Sequence, residues 1–410
     1  MNFDDTPEEA AFRARARAFV SANAEPKAGS RPVLRLGGMD AAAVARCKAW
    51  QAKKADAGLA GLTWPKKHGG QEMSPIMQVI YNQEEEAYAV PRGLFEIGLG
   101  MCIPTMMAYA TDAQLARYVP PALRGEEVWC QLFSEPAGGS DLAALRTRAE
   151  RDGDDWVING QKIWTSGAHL SDFGIIVVRT DPTRPKHEGL TFFFLDMRSP
   201  GIEIRPIHQM SGTRHFNEVF FTDVRVPDAQ RLGGVGQGWR VSITTLMNER
   251  LAVGEVARPD VDDLLALARS VDADGRPAIE SSATRERIAE WHARSQGLKF
   301  TRFRTMTALS RGQTPGPENS IAKLVNASKL QDIASYGLDL MGNAGLVVDD
   351  DLAEAYAMFQ SALLSSPSAR IAGGSDEILR NIIAERVLGL PGDIRADKGM
   401  AFNQVPTGKR

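Results

Sequence analysis

Cysteine is scarce in this chain, and no charge of either sign dominates. Only three cysteines occur in 410 residues, at Cys47, Cys102 and Cys130. An odd number of widely separated cysteines argues against a disulfide framework and favours a reducing compartment, with the thiols as buried structural groups. The formal net charge is −3, which gives nucleic acid or an anionic membrane little electrostatic reason to bind.

Long apolar runs and metal-ligand spacings are also missing. The apolar stretches, such as 175–178 and 192–195, are far shorter than the roughly 20 residues that a membrane-spanning helix needs. The first ten residues are acidic, unlike a signal peptide, so we expect a cytoplasmic protein without a membrane partner. The six histidines show no metal spacing, and we predict no metal site.

The hydrophobic periodicity changes twice along the chain. It is helical up to about residue 127, where Thr6, Asp40 and Ser74 can cap three helices and 98–109 predicts a buried helix. Short β-rich runs follow, with Asp152-Gly153 and Asn159-Gly160 as predicted hairpin turns. Helical patterns return after residue 238, apart from 259–282, which we expect to be an irregular connection. The predicted domains are 1–127, 128–238 and 239–410.

Four sequence motifs follow one another from the start of the β-region to the C-terminal helices. The β-region opens with Gln-Leu-Phe-Ser-Glu-Pro-Ala-Gly-Gly-Ser-Asp at 131–141 and continues with Ile-Asn-Gly-Gln-Lys-Ile-Trp-Thr-Ser at 158–166. It closes with Glu-Val-Phe-Phe-Thr-Asp-Val-Arg-Val-Pro at 218–227, and Ile-Ala-Gly-Gly-Ser-Asp-Glu-Ile begins the last motif at 371. In this order the four motifs resemble the signatures of the acyl-CoA dehydrogenase family. The resemblance covers about residues 6–391, which is nearly the whole chain.

The resemblance implies an α+β fold with an N-terminal helical domain, a small central β-barrel and a C-terminal four-helix bundle that mediates tetramers. It also implies FAD-dependent α,β-dehydrogenation of an acyl-CoA, with electrons passed to an electron-transfer flavoprotein. The acyl chain is left open: small and apolar residues between 93 and 107 are consistent with a bulky or branched group and with much else.

The first two motifs are expected to bind most of the flavin ring. By resemblance, Phe133 and Ser134 lie along the ring, Trp164 offers it a flat face, and the Ser166 hydroxyl donates toward flavin N5. The implied cofactor residues are Gln131, Phe133, Ser134, Gly139, Ser140, Trp164, Ser166, Arg276, Asp339, Gly342, Asn343, Ser375 and Glu377. The implied substrate-binding residues are Ser140, Arg250 and Gly373.

Removal of the α-proton requires a carboxylate whose pKa is raised by a dry pocket. Many family members carry this glutamate in the last motif, where this chain has Gly373. Branches similar to the isovaleryl- and long-chain-specific enzymes carry it in the first helix after the β-domain, before an Arg-Leu pair. Glu249, directly before Arg250, matches that position and is the predicted base. Asp376 and Glu377 are alternatives, although a helix N-terminus favours capping or cofactor contact there. The Gly373 N–H can still stabilise the enolate oxygen.

Two departures from the family affect the expected FAD diphosphate site. Arg276 is the only substitute for an Arg and Phe-Gly segment that reaches across a subunit interface, and Asp339 replaces a glutamine before the glycine-rich turn. An acid is an unfavourable neighbour for a diphosphate. Similar departures occur in members that form mixed tetramers, so a partner subunit is one alternative. A flavin-dependent monooxygenase on the same fold is the other, and Glu249 argues against it.

Overall fold

A computed structural model describes residues 5–27, 39–252, 258–273, 275–310, 316–349, 357–395 and 397–406, without the side chains of 249–252 and 309–310. The described chain is α+β and forms two compact units. The first contains Met1–Val33, Ser74–Ala89 and Gly254–Gly392; the second contains Leu34–Met73, Val90–Val253 and Asp393–Arg410. The domain boundaries expected from the sequence remain a prediction.

The first unit is helical. Its helices are α1 (Pro7–Asn23), α3 (Pro75–Glu86), α7 (Val261–Ser270), α8 (Ser282–Ser310), α9 (Asn319–Met341), α10 (Met358–Ala369) and α11 (Asp376–Ile382). Thr6 caps α1 in the predicted capping box. The core is built from Leu264 of α7, Trp291 of α8, Ile333 of α9 and Phe359 of α10.

The prediction that 259–282 is an irregular connection is wrong. Asp260 and Asp263 form a capping box, which starts α7 because each side chain satisfies a backbone N–H of the first turn. Leu264 is then fully buried, and Asp260 also binds Nζ of the buried Lys329 at 2.7 Å. A short antiparallel ladder, β8 (Asp272–Ala273) with β9 (Arg276–Pro277), follows α7. The acidic residues that looked like a solvated loop are helix caps.

The second unit places helices on a curled seven-stranded sheet. The helices are α2 (Ala41–Asp56), α4 (Ile103–Tyr109), α5 (Asp112–Leu123) and α6 (Gly238–Ala252), and a π-helical turn, Gly98–Cys102, precedes α4. The strands are β1 (Trp129–Leu132), β2 (Arg148–Asp152), β3 (Asp155–Ser166), β4 (Phe173–Arg179), β5 (Leu190–Asp196), β6 (Ile202–Pro206) and β7 (Phe216–Pro227). The strand order is β1-β4-β2-β3-β7-β6, and β5 pairs with β4.

The two central strands are apolar at consecutive positions because both sheet faces are covered. In β4, Ile175 belongs to one core cluster and Ile176 to the other. In β5, Phe192 and Phe193 divide in the same way. A strand that is buried on both faces reads as a continuous hydrophobic run rather than an alternating one. The cluster with Ile175 also contains α4 and α6, so α6 is packed against the sheet.

Asp152-Gly153 forms the predicted hairpin turn between β2 and β3, but the prediction for Asn159-Gly160 is wrong. Both residues lie inside β3, where the ladder to β7 shifts register between Ile158 and Gly160. Gly160 has φ +150°, and a Cβ there would lie 2.5 Å from Oγ1 of Thr147. The glycine is therefore needed for a bulge and a close approach to β2, rather than for a turn.

Candidate active site

The turn after β1 is held by a buried ion pair. Glu135 and Gly138 exchange two backbone hydrogen bonds of 3.0 Å, which closes the turn that follows Ser134. The carboxylate of Glu135 accepts from Nζ of Lys162 at 2.8 Å and from two backbone N–H groups of residues 146 and 147. Lys162 is completely buried and also donates to the Phe133 carbonyl at 3.0 Å. This pair therefore joins the first motif to the second.

The charge of Glu135 is stabilised despite its burial. Burial alone would raise the pKa of this carboxyl, but Lys162 and the two backbone donors outweigh it and hold the pKa below its ordinary value. Burial lowers the pKa of Lys162, and the facing carboxylate opposes that shift. A buried ion pair of this kind adds little folding stability compared with apolar side chains of similar size. It fixes the relative position of the two motifs, because breaking it would leave a buried charge without a partner.

Trp164 is exposed because a second irregularity reverses the alternation of β3. Trp156, Ile158 and Lys162 all point into the protein, so an uninterrupted strand would bury Trp164 as well. The register to β7 shifts between Lys162 and Thr165, and Trp164 adopts a left-handed conformation with φ +62°. Its indole is 54% exposed and Thr165 takes the buried position instead. A bulky residue held in this conformation stores strain, which is typical of functional sites.

The surroundings of Trp164 leave room for a planar ligand. Phe216 packs against the indole in a T-shaped arrangement with 5.8 Å between ring centroids, and more than half of Trp164 stays exposed. Ser166 is half-buried at the end of β3. A Cβ built at Gly139 or Gly167 would meet no atom within 4 Å. The exposed indole and the open glycine positions fit a flavin ring.

The remaining residues of the first motif differ in exposure. Gln131 lies in β1 and is half-buried, whereas Ser140 is exposed beyond the turn. Phe133 is 5% exposed because its ring packs on Phe192 at 5.7 Å between centroids. Its ring therefore has little surface to offer a ligand, and Ser134, which is half-buried, has more.

Helix α6, which carries the predicted base, packs against the sheet and against α4. Val241 is fully buried in the sheet core. The hydroxyl groups of Thr105 and Thr245 lie 2.9 Å apart, and so do those of Tyr109 and Thr244, which fixes α6 on α4. Residues 249 and 250, the predicted base and substrate arginine, lie in the last turn of α6, and their side chains are outside the described part of the structure.

The C-terminal motif belongs to the first unit. Gly373 and Gly374 have φ values of +65° and +93°, and Ser375 caps α11 by accepting from the Ile378 N–H. Glu377 is exposed, and hydrogen bonds from its own backbone N–H and from Ser375 lower the pKa of its carboxyl. Asp376 is buried with Oδ2 on the Arg370 guanidinium at 2.6 Å. The motif thus presents a glycine turn and a helix N-terminus.

The expected diphosphate residues are exposed in the first unit. Asp339, Gly342 and Asn343 lie at the end of α9 and in the turn after it, and Arg276 lies in β9. Gly342 has φ +53°, which suits a glycine-rich turn. Among the described residues, no group of three His, Cys, Asp or Glu side chains could hold a metal ion. No helix within the described ranges is long and apolar enough to cross a membrane.

Sequence reasoning missed the Glu135–Lys162 pair, although both residues stand inside the quoted motifs. The signal was the presence of an acid in the first motif and a lysine in the second, and both side chains are buried. Residues 397–406, which the sequence analysis included in the predicted domain 239–410 without a separate role, belong to the second unit.

Comparison with known families identifies the class of protein that this fold and site define. Family models match in chain order: "Acyl-CoA dehydrogenase, N-terminal domain" at residues 6–126, "middle domain" at 130–224 and "C-terminal domain" at 236–388. The chain belongs to the acyl-CoA dehydrogenase family. Members of this family are FAD-dependent flavoproteins, and the chain is an oxidoreductase of this class.

Individual relatives extend over most of the chain. Acyl-CoA dehydrogenase IpdE1 of Mycobacterium tuberculosis is 37% identical over 384 residues, covering 93% of this chain and 97% of IpdE1. Acyl-CoA dehydrogenase FadE34 of the same organism is 38% identical over 366 residues, which are 89% of this chain and 49% of FadE34. The chain thus spans about half the length of FadE34.

Among solved structures, one described as "Tcur3481-Tcur3483 steroid ACAD" has a TM-score of 0.79 at 27% identity and covers 96% of this chain and 100% of that chain. The ChsE4-ChsE5 complex of Mycobacterium tuberculosis has a TM-score of 0.78 at 28% identity, with the same coverage of both chains.

Proposed function

We propose that this chain oxidises an acyl-CoA thioester to the trans-2-enoyl-CoA, with Glu249 as the base and an electron-transfer flavoprotein as the electron acceptor. The observation that carries the proposal is Trp164, which is exposed in a strained conformation two residues after the buried Lys162 that anchors the first motif. An indole exposed to water in this way does not stabilise the folded protein, whereas a bound flavin ring would cover the indole.

Bound FAD supplies the hydride acceptor, and the chain supplies binding and proton transfer. Trp164 and Ser134 would flank the ring, with Gln131, Phe133, Gly139 and Ser166 near it. Ser375, Glu377, Gly342, Asn343, Asp339 and Arg276 would serve the rest of the cofactor, and Ser140 and Arg250 the thioester. The Gly373 N–H would donate to the thioester oxygen while negative charge develops there.

Glu249 is preferred over Glu377 as the base on physical grounds. A base for a weakly acidic α-proton needs a raised pKa, and burial near an apolar ligand provides it. Glu377 is exposed, and its pKa is lowered by hydrogen bonds from its own backbone N–H and from Ser375, so its basicity is reduced. Helix α6 is apolar toward the sheet and immobilised by its threonine contacts, which suits a positioned carboxylate.

For the acyl group we propose a bulky, ring-containing acid. Support comes from the solved structure described as a steroid ACAD, which matches over 96% of this chain. A straight medium-length acyl-CoA should then be a poorer substrate than a polycyclic one.

Anaerobic flavin bleaching by a panel of acyl-CoAs tests both the reaction and the substrate class. Glu249→Gln keeps the size of the side chain and loses its basicity, so flavin reduction should fall by about 10²–10⁴-fold while FAD stays bound. Glu377→Gln is the matched control and should reduce the rate far less. Loss in the control and not in Glu249→Gln would move the base to the last motif, and loss in neither would end the dehydrogenase proposal.

A second candidate is a non-catalytic partner subunit of a mixed tetramer. The favouring observation is that Asp339 is exposed at the end of α9, where it would face a diphosphate. The solved ChsE4-ChsE5 relative is a complex of two named proteins. Counting FAD per chain in the purified protein distinguishes the cases: one FAD per chain supports a homotetramer, and none without a co-expressed sister chain supports the mixed assembly.

A further inference from the structure

The C-terminal residues 397–406 form a segment that returns to the second unit beyond the family match, which ends at residue 388. Two backbone N–H groups of the segment donate to the loop between β4 and β5: Phe402 to the Arg184 carbonyl and Asn403 to the Pro182 carbonyl, both at 2.9 Å. Ala401 forms a β-bridge with Pro185. The segment thus adds ladder-like pairing to a surface loop that otherwise pairs with itself.

Phe402 covers a buried cation that holds two loops together. The Arg179 guanidinium lies 3.5 Å from the centroid of the Phe402 ring. It donates to the Ala143 and Leu145 carbonyls, directly after the first motif, and to the Lys186 carbonyl in the β4–β5 loop. Burial lowers the pKa of Arg179 to about 10, so the group stays charged at neutral pH. A desolvated cation over an aromatic face is among the stronger cation–π contacts.

Lys186 makes the second connection between the segment and the site. Its Nζ lies 2.8 Å from Oδ2 of Asp141 and 2.6 Å from Oδ2 of Asp397. Asp141 follows Ser140, the predicted thioester contact. Next to Lys186, the His187 ring packs edge-on to Trp239 of α6 at 4.7 Å between centroids. One loop therefore touches the Ser140 turn, the helix that carries residue 249 and the C-terminal segment.

These contacts enclose a cavity of about 530 Å³, lined by Pro185, Lys186, His187, Asp393, Ile394, Arg395, Asp397, Lys398 and Gly399. Three of these nine residues, Asp397, Lys398 and Gly399, belong to the C-terminal segment. Without that segment the β4–β5 loop would lose its two hydrogen bonds and its bridge to 401–403, and the face of Arg179 that Phe402 covers would be open to water.

We propose that residues 397–406 are a clasp that positions the Ser140 turn and the β4–β5 loop for thioester binding, with Phe402 and Asp397 as positioning residues. The role in thioester binding rests on the proposed function. Whether the segment holds the two loops in place can be measured separately, by hydrogen exchange of their backbone amides.

The test compares Phe402→Ala with Phe402→Tyr, Asp397→Asn with Asp397→Glu, and the neighbouring Asn403→Ala, all in the full-length FAD-bound protein. Asn403 contributes its backbone N–H and exposes its side chain, so its variant should behave as the parent. Phe402→Ala and Asp397→Asn should raise KM for acyl-CoA by about tenfold, equivalent to about 1.4 kcal/mol. Their kcat should stay within about twofold. The Tyr and Glu variants should recover most of the affinity.

Hydrogen exchange supplies the second readout. In Phe402→Ala, amide exchange should rise in 138–146 and 180–189 and stay unchanged in β3 and α6. An unchanged KM together with unchanged exchange in both loops would overturn the proposal. So would parallel losses of kcat, FAD and folding stability, because they mean a general packing defect. If no acyl-CoA reduces the parent flavin, the proposed function fails, and the exchange result alone decides on the clasp.

Discussion

Replacing Lys162 by methionine isolates the effect of the Glu135–Lys162 pair. Methionine fills the volume of the lysine stem, so no large cavity results, but the Glu135 carboxylate keeps only its two backbone donors. Both side chains are at most 5% exposed, so water cannot replace the ammonium group. Removal of one partner of a buried pair costs about 3–5 kcal/mol, and we expect a loss near 3 kcal/mol because two donors remain.

Urea unfolding followed by tryptophan fluorescence measures this loss, and flavin absorbance measures FAD retention. Lys162→Met with Glu135→Gln should recover about half of the stability, since no unpaired charge is left. A loss below about 0.5 kcal/mol in the single variant would refute this account, because that is the range of ordinary surface changes.

The free energy of unfolding should change with pH in opposite directions in the parent and in Lys162→Met. In the parent the pKa of Glu135 is lowered on folding, so its contribution is present above about pH 4.3 and is lost as the pH falls. In Lys162→Met burial acts without the opposing ammonium, so the pKa should be raised on folding. The variant should then be most stable in acid and lose stability as the pH rises through that pKa.

Three further predictions concern the cofactor, the assembly and the base. The purified protein should be yellow, and Trp164→Ala should lower its FAD content while the protein remains folded; full FAD occupancy in the variant would argue against the indole as a ring contact. Exposed apolar residues of the first unit, among them Ile371 at 70% and Leu388 at 66%, predict a dimer or tetramer; light scattering that shows a stable FAD-bound monomer at micromolar concentration would disprove it. Glu249→Gly combined with Gly373→Glu should restore only part of the flavin reduction that Glu249→Gly alone removes, because a side chain at φ +65° costs about 1–2 kcal/mol; no recovery at all would mean that the two positions address different protons.

The sequence was sufficient for the order of elements because periodicity and caps are local signals. The hairpin turn predicted at Asp152-Gly153 is confirmed by the structure. Asn159-Gly160 was misread because the same dipeptide suits a turn and a bulge, and only the approach to Thr147 distinguishes them. Asp260 and Asp263 were misread because charge alone does not separate a cap from a loop.

From the sequence alone, the candidate site could be predicted only for residues in the motifs that resemble the family. The exposure of Trp164 depends on a register shift between Lys162 and Thr165, and no alternation pattern in one strand contains information about its partner strand. The Phe402–Arg179 contact joins positions more than 200 residues apart, and nothing in either local sequence indicates it. The roles of individual site residues stay predictions until the variants are measured.

All three cysteines lie in the second unit, and each is buried. Burial raises the pKa of Cys130 to about 12, so at pH 7 only about one molecule in 10⁵ carries a thiolate at that position. Alkylating reagents therefore find almost no target in the native protein. Their rate of incorporation reports how often the second unit opens, with no contribution from the first. Alkylation of the native cysteines therefore measures the unfolding of the second unit alone, and mass spectrometry can follow it without any engineered label.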